Sequence, residues 1–130
     1  MRGILLFLLA PALAAAATDD TAQTVREGIE HFEAGRYDAA ATVFLKAGEA
    51  RPDDPRIAFD RGCAYAAQRD TAAAARMFHQ AALARDRSLS ARAHYNLGNV
   101  VADEARGAFG PEPENAPPPL REEGRKLLAR

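Results

Sequence analysis

Apolar and small residues recur at helical spacing through most of the chain, and short polar or proline-containing segments interrupt them at regular intervals. Apolar positions three and four residues apart form one face of an α-helix, whereas a half-buried strand requires strict alternation. The pattern therefore predicts successive helices near 20–34, 37–51, 55–68, 71–85 and 89–106.

The interruptions between these segments have the chemistry of helix ends. Gly35-Arg36 separates the helices of the first pair, and Arg69-Asp70 those of the second. Proline is tolerated in the first turn of a helix but not in its interior, so Pro52 ends one helix and Pro55 begins the next. Side-chain oxygens suit the N-cap position. The expected caps are Asp20 or Thr21, Asp70 or Thr71, and Ser90.

The chain repeats itself at a fixed interval, the one that separates Gly28 from Gly62. The other pairs that coincide at this interval are Ala40 and Ala74, Phe44 and Phe78, and Ala47 and Ala81; a third glycine, Gly98, follows Gly62 by slightly more than one interval. Glycine inside a helix costs about 1 kcal/mol relative to alanine, so another interaction must offset it. We expect the glycines to allow close approach of the second helix, with Ala40 and Ala74 facing them and the phenylalanines filling the wedge between pairs. Alanines 47 and 81 then leave room for the next pair, because one pair cannot bury its apolar side alone.

These residues resemble a known repeat. The pattern Gly28-x2-His31, Ala40-x3-Phe44, Ala47 and Pro52 is similar to a tetratricopeptide repeat, Gly62-x2-Tyr65, Ala74-x3-Phe78 and Ala81 to a second, and Tyr95-Asn96-Leu97-Gly98-Asn99 to the opening of a third. The resemblance implies an all-α fold, a short α-solenoid of stacked antiparallel helix pairs, with units at about 21–54 and 55–88 and the first helix of a third unit completing the region 18–106. The sequence departs from the family pattern at Glu27, Arg61 and Asp86.

The segment 1–17 has the layout of a secretory signal peptide. Arg2 precedes an apolar run that continues to Leu13, and small residues follow from Ala14 to Ala17. The run is shorter than the roughly 20 residues that span a bilayer, so cleavage near Ala14–Ala17 is favoured over a retained anchor. A disordered apolar N-terminus or a wrong start codon is the alternative. The predicted mature protein is exported, periplasmic or secreted, and has no membrane span.

The C-terminal part departs from the repeat. Residues 107–118 form a loop rich in proline and glutamate, and the following segment 119–130 carries Leu120, Gly124, Leu127 and Leu128 at helical spacing. We interpret this segment as the displaced second helix of the third unit. Two alternatives stay open at this stage: an unusually short array, or a piece of a longer one.

Composition and chemistry exclude several classes of function. A formal net charge of −1 provides no basic field for nucleic acid, and the single cysteine, Cys63, allows neither a disulfide framework nor a cysteine-rich zinc site. His31, His79 and His94 lack metal-ligand spacing, and no glycine-rich phosphate loop follows a strand. The sequence therefore predicts no catalytic activity, no metal site and no cofactor. A packed or half-exposed ring is expected for His31, and a small apolar filler role for Cys63.

A binding surface remains as the source of function. In stacked helical pairs the first helices line the concave side, and residues one turn from each glycine face it. The predicted partner-binding residues are Arg26, Ile29, Arg56, Phe59, Asp60, Arg92, Tyr95, Asn96 and Asn99, with Val25, Phe32 and Cys63 beside them. Aromatic anchors among amide and guanidinium donors suit an extended peptide or a partner helix.

The function favoured is a non-catalytic module that binds a protein or peptide partner on this face. Some tetratricopeptide domains clamp a C-terminal carboxylate; Asp60 would repel that group, so no such clamp is expected here. The alternative is a structural subunit that self-associates through its incomplete third repeat. The residues around 91–99 also resemble those of exported tetratricopeptide proteins that bacteria encode beside von Willebrand factor A-type proteins in aerotolerance (Bat-like) gene clusters.

Overall fold

The computed structural model describes residues 9–109 together with 125, 126 and 129, with side chains from residue 20 onward. Five helices occupy residues 9–109, and no strand occurs in that part of the chain; this confirms the predicted all-α class. The helices are α1 (Leu9–Glu33), α2 (Tyr37–Ala50), α3 (Pro55–Ala67), α4 (Thr71–Ala82) and α5 (Arg87–Phe109).

The helices belong to two compact units. The first unit, Met1–Asp53, contains α1 packed on α2, and the second, Asp54–Arg130, contains α3, α4 and α5. In the second unit α4 packs against both neighbours, so α5 extends the α3–α4 pair. Ala81 lies in a buried cluster with Ala58 and Ala93, which confirms that a small residue here allows the next helix to approach.

A phenylalanine ring covers the glycine inside each helix pair. A methyl group placed on Gly28 would lie 2.5 Å from Phe44 Cε1, and one on Gly62 would lie 2.7 Å from Phe78 Cε1. Both rings are almost completely buried. The prediction that the glycines admit a close second helix is confirmed. The ring one turn after each predicted alanine supplies the nearest atoms and occupies the space that the missing side chain leaves.

The turns inside the two pairs share one backbone conformation. Gly35 has φ of +73° and Arg69 has φ of +63°, and the two residues occupy equivalent positions of the repeat. The next amide in each case donates back into the helix, Arg36 N–H to the carbonyl of His31 at 2.9 Å and Asp70 N–H to that of Tyr65 at 3.0 Å. The repeat interval therefore holds in the backbone as well as in the side chains.

Aspartates cap the three helices of the second unit. The carboxylate of Asp54 accepts from Arg56 N–H at 3.0 Å, and that of Asp70 accepts from Ala73 N–H at 3.0 Å. The carboxylate of Asp86 accepts from the amides of residues 88 and 89, at 2.9 and 3.2 Å. The cap of α5 is therefore Asp86, and the predicted Ser90 cap is wrong: Ser90 Oγ instead donates to the carbonyl of Ala82 at 2.7 Å.

Helix bounds differ from the expectations at three ends. α1 begins at Leu9, so the helix runs through the Asp20/Thr21 position predicted as its cap, since the alanine-rich stretch before it favours helix. α4 ends at Ala82, and α5 continues to Phe109, into the segment 107–118 predicted as a loop. Residues 110–118 and most of 119–130 lie outside the described residues, as do residues 1–8. Among the helices described, none is long and apolar enough to cross a membrane.

Candidate functional site

Six side chains from the predicted binding face come together on α3 and α5 of the second unit. We call this the α3–α5 surface; its members are Arg56, Phe59, Asp60, Cys63, Arg92 and Asn96. The Asp54 and Asp86 caps fix where α3 and α5 begin, because each aspartate satisfies amides that the first turn leaves unpaired. The α3–α5 surface is therefore formed by the faces of two helices whose N-terminal ends are fixed by capping aspartates.

Phe59 links this surface to the core. Its ring meets the buried ring of Phe78 edge-on, with centroids 5.7 Å apart. On its outer side the guanidinium carbon of Arg92 lies 5.1 Å from the ring centroid, within the range of a cation–π interaction. Arg92 is thus held over an anchored aromatic ring while its side chain remains exposed. This arrangement leaves guanidinium donors available to a ligand.

Asp60 is a partly buried carboxylate beside this arginine. Burial raises the pKa of Asp60 from 3.8 to about 6; the charge of Arg92 opposes this shift and that of Asp54 adds to it. At neutral pH the carboxylate is still mostly ionised, and it loses its charge in mildly acid solution. A negative charge on the surface at pH 7 disfavours a ligand carboxylate at this point.

Cys63 lies one turn further along α3. Burial, together with the charge of Asp60, raises the pKa of the Cys63 thiol to about 11, with Arg92 acting in the opposite direction. The side-chain amide of Asn96 lies 4.0 Å from the sulfur, within the range of a weak hydrogen bond. Because the thiolate is the reactive form, this environment suppresses nucleophilic chemistry at Cys63.

A small open cavity of about 230 Å³ lies at the start of the α3–α5 surface. Its lining consists of Arg56, Phe59, Asp60, Asp86, Leu89 and Arg92. Cavities that hold drug-sized ligands or cofactors usually measure about 300–1,000 Å³, so this one suits a single side chain better than a whole cofactor. Two guanidinium groups, carboxylates and an aromatic ring give it both polar and apolar contacts.

The remaining predicted residues lie apart from this cavity. Tyr95 is 72% exposed and Asn99 is exposed, both on α5. In the first unit, Arg26 donates from Nη2 to Gln23 Oε1 at 2.7 Å, and Ile29 is 39% exposed. These four residues are available to solvent, and whether they bind a partner stays a prediction.

The structure adds a second concavity that the sequence did not indicate. We call it the α4–α5 groove; it measures about 620 Å³ and is lined by Ala72, Ala75, Arg76, His79, His94, Leu97, Gly98, Val101, Ala102 and Glu104. Leu89 and Asp86 of the smaller cavity were also not among the predicted site residues. Two features of the sequence could have indicated these residues. One is the Asp86-x-x-Leu89 spacing of a helix cap, and the other is the third glycine, Gly98, which no Ala-x3-Phe pattern follows.

The histidines do not form a metal site within the described residues. No group of three or more His, Cys, Asp or Glu side chains lies close enough there to hold a metal ion. The partly buried His31 accepts a hydrogen bond at Nδ1 from Arg36 Nε at 2.9 Å, and its Nε2 lies 3.9 Å from Glu27 Oε1. This half-exposed, hydrogen-bonded ring is what the sequence predicted for His31.

Comparison with known proteins places the repeat in a family. The sequence model described as "Tetratricopeptide repeat" matches residues 25–75 and again 59–109, and the two matches are offset by the interval that separates Gly28 from Gly62. No curated protein matches the chain, and no solved structure does so either. The matches together cover well over half of the sequence, and they coincide with the glycine–phenylalanine pairs described above. The chain belongs to the tetratricopeptide repeat family.

Proposed function

We propose that the protein is a non-catalytic interaction module that binds a peptide segment of a partner protein on the α3–α5 surface. Tetratricopeptide repeats suggest a role in protein–protein interaction or scaffolding, and proteins built from them are generally adaptors without catalytic activity. The observation that carries the proposal is the position of the Arg92 guanidinium over the anchored ring of Phe59, beside the cavity that Asp60 lines.

The chemistry of the surface defines the ligand. Arg56 and Arg92 offer donors to backbone carbonyls or acidic side chains, and Phe59 offers an apolar contact. The Asp60 carboxylate accepts from a lysine, an arginine or a backbone amide. The proposed ligand is an extended segment with an apolar residue flanked by charges of both signs. Because Asp60 repels a carboxylate, amidation of the peptide C-terminus is expected to leave the affinity unchanged.

Selection from a displayed peptide library on the full chain, followed by titration of the selected peptide, tests this proposal. Arg92→Ala is expected to weaken binding at least tenfold, since hot-spot residues of interfaces are often arginine and aromatic. Arg106→Ala is the matched control, because Arg106 is an exposed arginine on the same helix outside the surface. Equal affinity of both variants, or a library that yields no binder, would overturn the proposal.

We also propose that the protein acts in an exported compartment. The charged start, apolar run and small residues of the segment 1–17 support this. Mass spectrometry of the protein recovered from an envelope fraction should show an N-terminus between residues 15 and 18. Recovery of only the intact chain from the cytosol would contradict export. The resemblance to the proteins of Bat-like clusters is a further expectation of the same kind.

A structural role through the third repeat is the second candidate function. In the described part of the chain no side chain covers Gly98 in the α4–α5 groove, whereas rings cover Gly28 and Gly62, and this contrast favours a structural role. Sedimentation of the full chain over a range of concentrations separates the candidates. Self-association that increases with concentration supports assembly between copies, whereas a monomer at every concentration excludes it.

A further inference from the structure

The small cavity of the α3–α5 surface is lined by charges of both signs that do not pair with one another. Arg56 and Arg92 contribute the positive groups. Asp60 and Asp86 contribute the negative ones, and the Asp86 carboxylate accepts from backbone amides as the cap of α5. Within the described residues none of the four side chains forms an ion pair. The cavity therefore contains charge that this part of the chain does not compensate.

Asp60 is the member of this lining that most requires a donor. Its carboxylate is partly buried, and within the described residues no amide or side chain donates a hydrogen bond to it. Burial of a charged group without a partner is unfavourable, and an apolar or acidic ligand group would make it more so by excluding water from the carboxylate. A cationic donor in the cavity would instead stabilise the carboxylate, so Asp60 favours a basic ligand group.

The two arginines of the lining oppose such a group only weakly. Arg56 and Arg92 are exposed, and a long arginine side chain keeps its guanidinium in water, where solvent and salt screen its charge. Arg92 is held over the ring of Phe59 and not on the carboxylate. The side chain of Asp60 is short and cannot reach solvent in the same way. The carboxylate therefore determines which charge the cavity binds.

The apolar part of the lining suits the stem of a basic side chain. Phe59 and the buried Leu89 are its two apolar members. Lysine and arginine pack their methylene groups on apolar surface while the charged end reaches a polar partner. A volume of about 230 Å³ accommodates one such side chain. The cavity therefore offers an apolar wall for the stem and a carboxylate for the cation.

We propose that this cavity binds one lysine or arginine side chain of the peptide ligand, with the cationic group on the Asp60 carboxylate and the methylene groups against Phe59 and Leu89. The inference rests on the proposed function, because it names the residue that the peptide places in the α3–α5 surface. Asp60 is then the residue that determines specificity for a basic side chain.

A peptide selected from the library on the full chain, acetylated at its N-terminus and amidated at its C-terminus, is the probe. Each of its lysines or arginines is replaced in turn by norleucine, which keeps an apolar stem and removes the charge. One replacement is expected to weaken binding at least tenfold at pH 7.5. On the Asp60→Asn chain the same replacement should change the affinity less than twofold. Asp53→Asn, at an exposed position outside the cavity, is the matched control and should retain the tenfold difference.

The pH dependence of binding provides a second measurement. Because the pKa of Asp60 is about 6, the probe should bind about tenfold more weakly at pH 5 than at pH 7.5, as the carboxylate becomes protonated. The norleucine peptide and the Asp60→Asn chain should not show this loss, which separates Asp60 from histidines elsewhere. The lining described includes no residue of α4, and the charged or titratable groups around Asp60 come from α3, α5 and their caps: Asp54, Arg56, Cys63, Asp86 and Arg92.

The outcomes distinguish this inference from the proposed function. A peptide that binds without depending on any basic residue, or that shows the same norleucine effect on the Asp60→Asn and Asp53→Asn chains, would overturn the inference and leave the peptide-binding proposal standing. Binding that disappears when the N-terminus is acetylated would assign the cavity to an α-amino group and would also overturn the inference. A library that yields no binder would overturn both.

Discussion

At the residue scale, the packing of each pair depends on the absence of one methyl group. The ring of Phe78 lies where the β-carbon of any other residue at position 62 would be, and Phe44 has the same relation to Gly28. Helix propensity alone would favour alanine at both glycines by about 1 kcal/mol. The close contact with the ring explains why the sequence has glycine at these two positions. It also means that replacing glycine by alanine should destabilise the fold where a ring covers the glycine and stabilise it where the glycine faces open space.

Alanine substitutions at two glycines test this account. Gly62→Ala is expected to destabilise the fold by about 1–3 kcal/mol, because the new methyl group forces the Phe78 ring out of place. Gly98→Ala is expected to stabilise it by up to about 1 kcal/mol, since the same methyl group enters open space. Urea unfolding followed by circular dichroism measures both. Two changes of the same sign would show that the ring does not constrain position 62.

The raised pKa of Asp60 makes stability depend on pH in a defined direction. The pKa of Asp60 is about 6 in the folded chain, whereas its ordinary value, which applies to the unfolded chain, is 3.8, so folding disfavours the charged form. The destabilisation by the carboxylate therefore grows between about pH 4 and pH 6 and is fully present above pH 6; it is mostly lost as the pH falls to 4, where the folded state is protonated and the unfolded state is nearly half protonated. At pH 7 its contribution is about 1 kcal/mol, because solvent screens part of the effect of the raised pKa.

Asp60→Asn tests this pH dependence. The variant is expected to be more stable than the original chain at pH 7 by about 1 kcal/mol and to have nearly equal stability at pH 4. Thermal unfolding at the two pH values provides the comparison. Asp53→Asn, at an exposed position, gives the background change expected from removing a surface carboxylate. A stability difference at pH 4 as large as that at pH 7 would contradict the assignment.

At the element scale, the sequence predicted where helices stop better than which way their side chains point. Pro52 and Pro55 restrict the backbone locally, and Gly35 readily adopts the positive φ that ends its helix, so the ends they mark agree with the structure within a residue or two. The contact between each glycine and a phenylalanine ring was not predicted, because helical spacing gives relative positions on one helix and not the rotation of one helix against its partner. The cap of α5 was missed for a related reason: Asp86 was considered only as a departure from the repeat.

The turn at Arg69 gives a prediction at this scale. Its φ of +63° is unfavourable for a residue with a β-carbon, whereas the equivalent position of the other pair has Gly35. Arg69→Gly is expected to stabilise the second unit by about 0.5–1 kcal/mol. This value is the backbone strain that glycine relieves, reduced by the entropy that the more flexible glycine loses on folding. Gly35→Arg should destabilise the first unit by about 1 kcal/mol or more. Melting temperatures of the two variants measure both effects, and a lower value for Arg69→Gly would refute the argument.

At the scale of the whole molecule, the sequence indicated one binding face, and the structure shows two concavities among the described residues of the second unit. The α3–α5 surface was predictable because its charged and aromatic residues lie at fixed spacing around each repeat glycine. The α4–α5 groove was not, because its lining of small residues resembles core positions in the sequence. Within the described residues, only the lack of a ring beside Gly98 distinguishes this groove from the covered face of a complete pair, and that requires the coordinates.

The two concavities lie on different sides of α5, which leads to a prediction about the whole molecule. With about 3.6 residues per turn, Arg92 and Asn96 fall on one side of the buried positions Ala93 and Val100, and Gly98 falls on the other. A peptide bound on the α3–α5 surface should therefore leave the groove free for the self-association of the second candidate function. Sedimentation of the chain saturated with an α3–α5 peptide is expected to show the same dependence on concentration as the free chain, and Arg92→Ala should affect only the peptide. A changed dependence would mean that α5 transmits a change from one face to the other or that the two faces share one ligand path.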